Sequence, residues 1–152
     1  MKLLRSGNGK FVFHLGQRDK LLLLEVLKLY PQITSASRPL TKFGKLPDEQ
    51  TNQGLLDEAL AEQRAHNKKL LETFLTDPRR FAETESGCRL TLSAADMEWL
   101  LQVLNDIRIG SWVQLGSPEE KFEELNLETA PHYWAMEISG FFQSRFLEAM
   151  EG

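Results

Sequence analysis

Three histidines, one cysteine and a set of scattered carboxylates are the side chains through which this 152-residue chain could do chemistry. Glu62 and His66 stand four apart, so a helix through them puts both on one face. Glu128 and His132 repeat the spacing, but Pro131 interrupts any helix joining them. A carboxylate-bridged di-metal bundle needs Glu-x-x-His twice plus two further inward glutamates, and this spacing is different. Gln63, Arg64, Lys68 and Lys69 around Glu62 read as a wetted surface, so no metal site is expected. The sequence contains no HExxH, paired CxxC, GxSxG or phosphate loop. Gly7-Asn8-Gly9-Lys10 lies between strand-like segments, without a helix dipole to hold phosphate, and reads as a turn. Asp96 near Trp99 invites comparison with a catalytic acid. Its place three residues after Ser93 is that of a capping carboxylate, and no second acid or base shares its face. Cys88 beside Arg89 reads as inert strand packing rather than an activated thiol. The expectation is a protein that is not an enzyme and carries no cofactor.

Binding residues are easier to nominate. Asn105, Asp106 and Arg108 are polar groups inside the most apolar helical stretch of the chain. Polar groups there must find partners, so the three either join a hydrogen-bonded network or line a groove. Tyr133, Trp134, Phe141, Phe142 and Phe146 crowd the last helix, with Gly140 allowing another backbone to approach. Adjacent Phe141 and Phe142 point in different directions, which leaves at least one open to a partner. The candidate binding set is therefore Asn105, Asp106, Arg108, Trp99, Trp112, Trp134 and Phe141.

The elements that must position these residues follow from periodicity. Alternation in Phe11-Val12-Phe13-His14-Leu15, after the Asn8-Gly9 turn, predicts an N-terminal β-hairpin with Phe11, Phe13 and Leu15 on one face. Gln17 to Tyr30 is a largely buried helix stopped by Pro31. Residues 31–47 form a long connection holding Pro31, Pro39, Gly44 and Pro47, with Arg38, Lys42 and Lys45 in it. From Asp48 or Thr51 to about Leu75, the stripe Leu56, Ala59, Leu60, Gln63, Asn67, Leu70, Leu71 and Phe74 has a helical period. Residues 88–92 read as a short strand, and Ser93 caps a long central helix from Ala94 to about Leu115. A short helix follows Ser117-Pro118, ending near Leu125, and a last one runs from Pro131 to about Met150.

One internal repeat joins these elements. Phe11–Leu29 and Cys88–Asp106 align without gaps at an offset of 77 residues. Leu15/Leu92, Asp19/Asp96, Leu23/Leu100, Leu24/Leu101, Val26/Val103 and Leu27/Leu104 are identical pairs. Two equivalent strand–helix units can pair their strands and pack their helices about a pseudo-twofold axis. The expected fold is a single domain over 1–152, mainly α of α+β type. Four to five helices bundle against a small antiparallel sheet made of the N-terminal hairpin and residues 88–92.

Charge and composition exclude other classes. With 41% apolar and 26% charged residues, the chain is neither disordered nor a disulfide-stapled miniature. Its longest apolar run, Leu21 to Leu24, is far below the ~20 residues of a membrane span, so no membrane partner is expected. The net charge of −4 argues against a protein devoted to nucleic acid. It divides unevenly: residues 1–76 carry 12 basic and 8 acidic side chains, residues 77–152 carry 6 and 14. Most of these charges solvate helix faces, although such polarity could also attract an acidic partner at one end and a basic one at the other. A lone cysteine and the lack of a secretion signal make the cytoplasm the expected compartment.

The stretch Trp99-Leu100-Leu101-Gln102-Val103-Leu104-Asn105-Asp106-Ile107-Arg108-Ile109-Gly110, continuing to Leu115-Gly116, resembles a bacterial family, domain of unknown function two-thousand-seventeen. Its pattern is a leucine, Asn-Asp-x-Arg, then Leu-Gly shortly before an acidic segment. The strand and leucine helix over Phe11–Tyr30 look like that family's start, and the resemblance spans about two-thirds of the chain. It implies a bacterial helical protein without an established activity, whose genes often lie near those for a ClpS-like protease adaptor. Asn105, Asp106 and Arg108 are the positions that carry it. The functional expectation is a non-enzymatic interaction or adaptor domain with a protein partner, homo-oligomers included. The alternative is a small-molecule sensor with an apolar pocket between the central and last helices, lined by Trp99, Trp112 and Trp134. Nucleic-acid binding through Lys42, Lys45 and the basic first half ranks below both, because those charges are thinly spread.

Overall fold

A computed structural model of the chain describes residues 1–32, 49–117 and 126–151. The connection over residues 33–47 and the helix expected after Ser117 lie outside the described residues. The elements run β1 (Lys2–Gly7), β2 (Lys10–Gly16), α1 (Gln17–Leu27), α2 (Glu49–Thr76), β3 (Phe81–Thr84), β4 (Gly87–Ser93), α3 (Ala94–Gln114) and α4 (Ala130–Glu151). Among the described residues this is a mainly helical α+β fold, four helices with one antiparallel sheet of order β1-β2-β4-β3.

Local sequence explains most boundaries. Asn8 and Gly9 take φ of 54° and 72°, the two left-handed residues that a tight hairpin turn requires. Pro31 disfavours helical geometry at Tyr30, so α1 ends at Leu27, three residues earlier than expected. Its last turn tightens into Leu29 N–H to Val26 O and Tyr30 N–H to Leu27 O bonds of 3.1 and 3.3 Å. The second strand region is longer than 88–92, spanning Gly87–Ser93, and it carries an unexpected hairpin partner, β3. Four residues with exposed Glu83 and Thr84 give too short an alternation to be read alone. In α2 only part of the expected stripe is inside. Asn67, Leu71 and Phe74 are buried and Leu56 and Leu60 half-buried, while Ala59, Gln63 and Leu70 are exposed.

The internal repeat is visible in the sheet. β2 and β4 pair antiparallel at its centre, and Phe13 lies opposite Leu90, its own counterpart 77 residues on. The pseudo-twofold axis therefore passes between these two residues. The flanking hairpins obey the same offset, closing at Gly7↔Lys10 and at Thr84↔Gly87. Phe11, Phe13 and Leu15 of β2, with Cys88, Leu90 and Leu92 of β4, face the helices, and all but half-buried Phe11 are buried. Phe146 of α4 meets Phe13 edge-on at 5.5 Å, and Phe74 of α2 meets Phe81 and Trp99 at 4.9 and 5.3 Å. Edge-to-face aromatic pairs add about 0.5–1.5 kcal/mol each to ordinary burial.

Asp19 and Asp96 are the matched carboxylates at the third position of α1 and α3, and each holds a cation. Asp19 takes the amino group of Met1. Asp96 takes Arg80, whose Nε and Nη2 donate to it at 3.2 and 3.1 Å. Asp96 also completes a capping box: Ser93 N–H donates to its Oδ2 and its own N–H donates to Ser93 Oγ, both at 3.0 Å. Trp99 Nε1 supplies a further bond at 3.3 Å. Burial alone would raise the Asp96 carboxyl pKa, but the bonds from Arg80, Ser93 and Trp99 outweigh it and hold the group below the usual aspartate range.

Two predictions follow from this framework. Asp96→Ala should lower unfolding free energy at pH 7 by about 1–2 kcal/mol, from the lost cap and the loss of one of the two carboxylates that hold Arg80, Asp77 at 2.8 Å being the other. Since the folded pKa is depressed, this contribution is complete above the unfolded value of ~4 and is lost as pH falls through the folded one. Urea melts should show the gap between variant and parent closing toward pH 2. Glycine tests the close approach of β2 and β4. A Cβ on Gly87 would fall 1.9 Å from the Leu15 carbonyl oxygen, whereas Gly7, with the same φ of 155°, has open space. Gly87→Ala should therefore cost at least ~2 kcal/mol more than Gly7→Ala in the same melts.

Candidate functional site

The polar cluster of α3 is divided by the helix that carries it. Two residues along a helix rotate by about 200°, so Asp106 and Arg108 face opposite flanks, with Asn105 exposed between them. Asp106 is half-buried and accepts the Gln32 N–H at 2.7 Å, tying down the chain that leaves α1. With Asn105 and Gln102 it lines a groove of about 190 Å³ whose other wall is Tyr30, Gln63, Arg64 and Asn67. Asn67 Nδ2 donates to Tyr30 Oη at 3.4 Å, and Lys68 Nζ to the Tyr30 carbonyl at 3.1 Å. Burial raises the Tyr30 phenol pKa against the opposing pull of the Asn67 bond, so the hydroxyl stays protonated. This side of α3 is a polar brace with a small groove over it.

Arg108 belongs to the other flank. Its Nη1 reaches Gln143 Oε1 at 3.5 Å, and its Nε lies 4.0 Å from where a Gly140 Cβ would stand. Gly140 thus faces an arginine side chain, where the sequence suggested a neighbouring backbone, and a Cβ there would make only ordinary contact. The groove here, about 660 Å³, runs along α4, where Glu137, Phe141, Gln143, Arg145 and Leu147 are among its lining residues, and Arg108 is the residue that α3 contributes. Phe142 is fully buried while Phe141 is 37% exposed, although the two rings still meet edge-on at 5.1 Å. The Arg145 guanidinium sits 5.5 Å from the Phe141 ring centre and pairs with Glu148 at 3.4 Å. Trp134, two turns before Phe141 on the same line of α4, is also 37% exposed.

The three tryptophans stand apart. Trp99 and Trp112 are 13 residues apart on α3, about 20 Å along its axis at 1.5 Å per residue and more than a third of a turn round it. Trp99 is occupied by Phe74 and Asp96, and Trp112 is half-buried near the opposite end. Arg108 and Phe141 are the members of the candidate set that line one groove, Asn105 and Asp106 line another, and Trp134 lines neither. Sequence reading missed Arg80, whose contact with Asp96 depends on β3, and the Tyr30–Asn67 bond between distant helices. Glu62 and His66 are both exposed on α2, and among the described residues no group of three potential metal ligands converges. Comparison of the chain with protein-family models, with curated proteins and with solved structures finds no match.

Cys88 has no exposed surface, and burial pushes its thiol pKa up, away from the reactive thiolate. Iodoacetamide at pH 8 should leave the folded protein unmodified and alkylate Cys88 only in denaturant, as read by intact mass. Rapid labelling of the native protein would contradict this packing.

Proposed function

We propose that this protein is a non-enzymatic interaction domain whose α3–α4 flank receives an apolar helix of a protein partner. The observation that carries the reading is the line of Trp134 and Phe141 along α4, each 37% exposed, with Phe141 lining a groove that Arg108 of α3 also lines. Exposed aromatics with a neighbouring arginine are the residue types that dominate binding energy at protein interfaces. Seven residues separate the two rings, two helical turns, which matches the repeat of an amphipathic partner helix. The titratable groups with the richest contacts are committed elsewhere: Asp96 to its cap and Arg80, Asp106 to the Gln32 backbone.

The sensor alternative has less support. The groove beside Asn105 and Asp106 is about 190 Å³, below the ~300 Å³ at which ligand pockets generally begin. The larger α3–α4 groove is open and lined by charged side chains at several points.

The test is quantitative co-purification of the tagged full-length protein from its own host, comparing parent with the Trp134→Ala/Phe141→Ala double variant. Both side chains are 37% exposed, so their truncation costs some packing energy, and circular dichroism melts establish that the variant is folded at the temperature of the experiment. Proteins that bind through this flank should fall at least ~10-fold in recovery, equivalent to about 1.4 kcal/mol. Unchanged recovery of every partner by a folded variant would overturn the reading.

A further inference from the structure

The sheet is covered by helices on one side, and its other side presents a basic surface. Strand register arranges the outward positions in rows. Lys2, His14, Arg89 and Ala82 form one row across β1, β2, β4 and β3. Arg5, Val12 and Thr91 form the next, and Lys10 lies beyond them opposite Gly7 at the hairpin end. Arg5, Lys10, Arg79 and Arg89 rim a shallow groove of about 690 Å³ floored by Val12, Ala82 and Thr91, and no carboxylate is among its lining residues. Lys2 and the four rim cations are exposed. Among the described residues Arg79 meets Asp77 at 3.4 Å, while Lys2, Arg5, Lys10 and Arg89 form no ion pair.

Such a concentration of one sign is unexpected in a chain of net charge −4. Like charges on one flat face repel one another, and an anion laid among them relieves that repulsion. We propose that this outer sheet face is a second binding surface, which takes an extended acidic peptide segment of a protein partner. Three of the five cations are arginines, whose planar fork holds a carboxylate through two parallel hydrogen bonds. Neighbouring strands are about 4.8 Å apart, and alternate side chains of an extended peptide about 7 Å apart, so successive carboxylates can reach cations on different strands.

The same surface suits nucleic acid less well. No aromatic side chain is among the groove's lining residues, which removes the stacking platform that single strands use. A duplex would extend past the patch over a molecule whose residues 77–152 carry 14 acidic against 6 basic side chains. A short peptide senses mainly the patch itself, because exposed charges farther than ~8 Å are screened at physiological salt.

Fluorescence anisotropy of a labelled peptide alternating Glu and Thr over about ten residues tests the proposal, at roughly 50 mM and 300 mM salt. Parent protein should bind at low salt and lose about 10-fold in affinity at high salt. Arg5→Ala/Arg89→Ala should weaken low-salt binding at least 10-fold, and Lys10→Ala should weaken it less, in the same direction. All three residues are exposed, and circular dichroism melts establish that each variant is folded. The Trp134→Ala/Phe141→Ala variant should bind the peptide like the parent, so failure of the helix-groove reading and failure of this one are told apart. Three outcomes overturn it: no binding to the parent at low salt, equal binding by the arginine double variant, or at least 10-fold tighter binding of a single- or double-stranded oligonucleotide of equal charge.

Discussion

The pairing of β2 with β4 is the constraint from which the rest of the molecule follows. It joins residues 10–16 to residues 87–93, so the two strand–helix units share one sheet instead of each owning half a core. Neither unit could bury its apolar face alone, because a two-stranded hairpin with one helix removes too little surface from water. Once paired, Phe13 and Leu90 sit side by side at the centre, and Phe146 of α4 closes over them. The twofold relation then puts α1 and α3 on the same face of the sheet. That leaves the opposite face to solvent, with its cations standing in rows.

The two units differ at their equivalent carboxylates. Asp96 stands at the centre of a capping box and an arginine fork, while Asp19, after Gly16, has no side-chain cap on its helix and is paired with the Met1 amino group. α3 is correspondingly the longer helix and the one against which α4 packs most extensively. The two flanks of α3 differ as well. One flank, through Asp106, braces the chain after α1; the other, through Arg108, meets α4 beside the exposed rings. The described residues, among which no group of three potential metal ligands converges, offer two chemically different surfaces, one aromatic and one cationic.

Local signals in the sequence account for much of this architecture. The Asn8-Gly9 turn, the alternation of Phe11, Phe13 and Leu15, the helical period of α2 and the Ser93 cap are short-range features, and the hairpin and helices they imply are present. The repeat at an offset of 77 was legible because strand, cap and leucine positions matched together, and the sheet register places Phe13 against Leu90 accordingly. What could not be read depends on non-local geometry. β3 is too short and polar to announce itself, and Arg80 reaches Asp96 only because β3 pairs beside β4. Grouping Asn105, Asp106 and Arg108 by proximity in sequence ignored rotation about the helix, and grouping three tryptophans by type ignored the length of α3. The basic face escaped notice because its members come from β1, β2, β4 and the segment before β3, and only the strand order brings them together.

Native-state hydrogen exchange tests the central pairing most directly. The account predicts that the buried-core amides of β2 and β4, around Phe13 and Leu90, are the slowest in the molecule and exchange with one shared opening free energy equal to that of global unfolding. Two distinct opening free energies, one for residues of β2 and α1 and a lower or higher one for β4 and α3, would show that the halves open separately and contradict it.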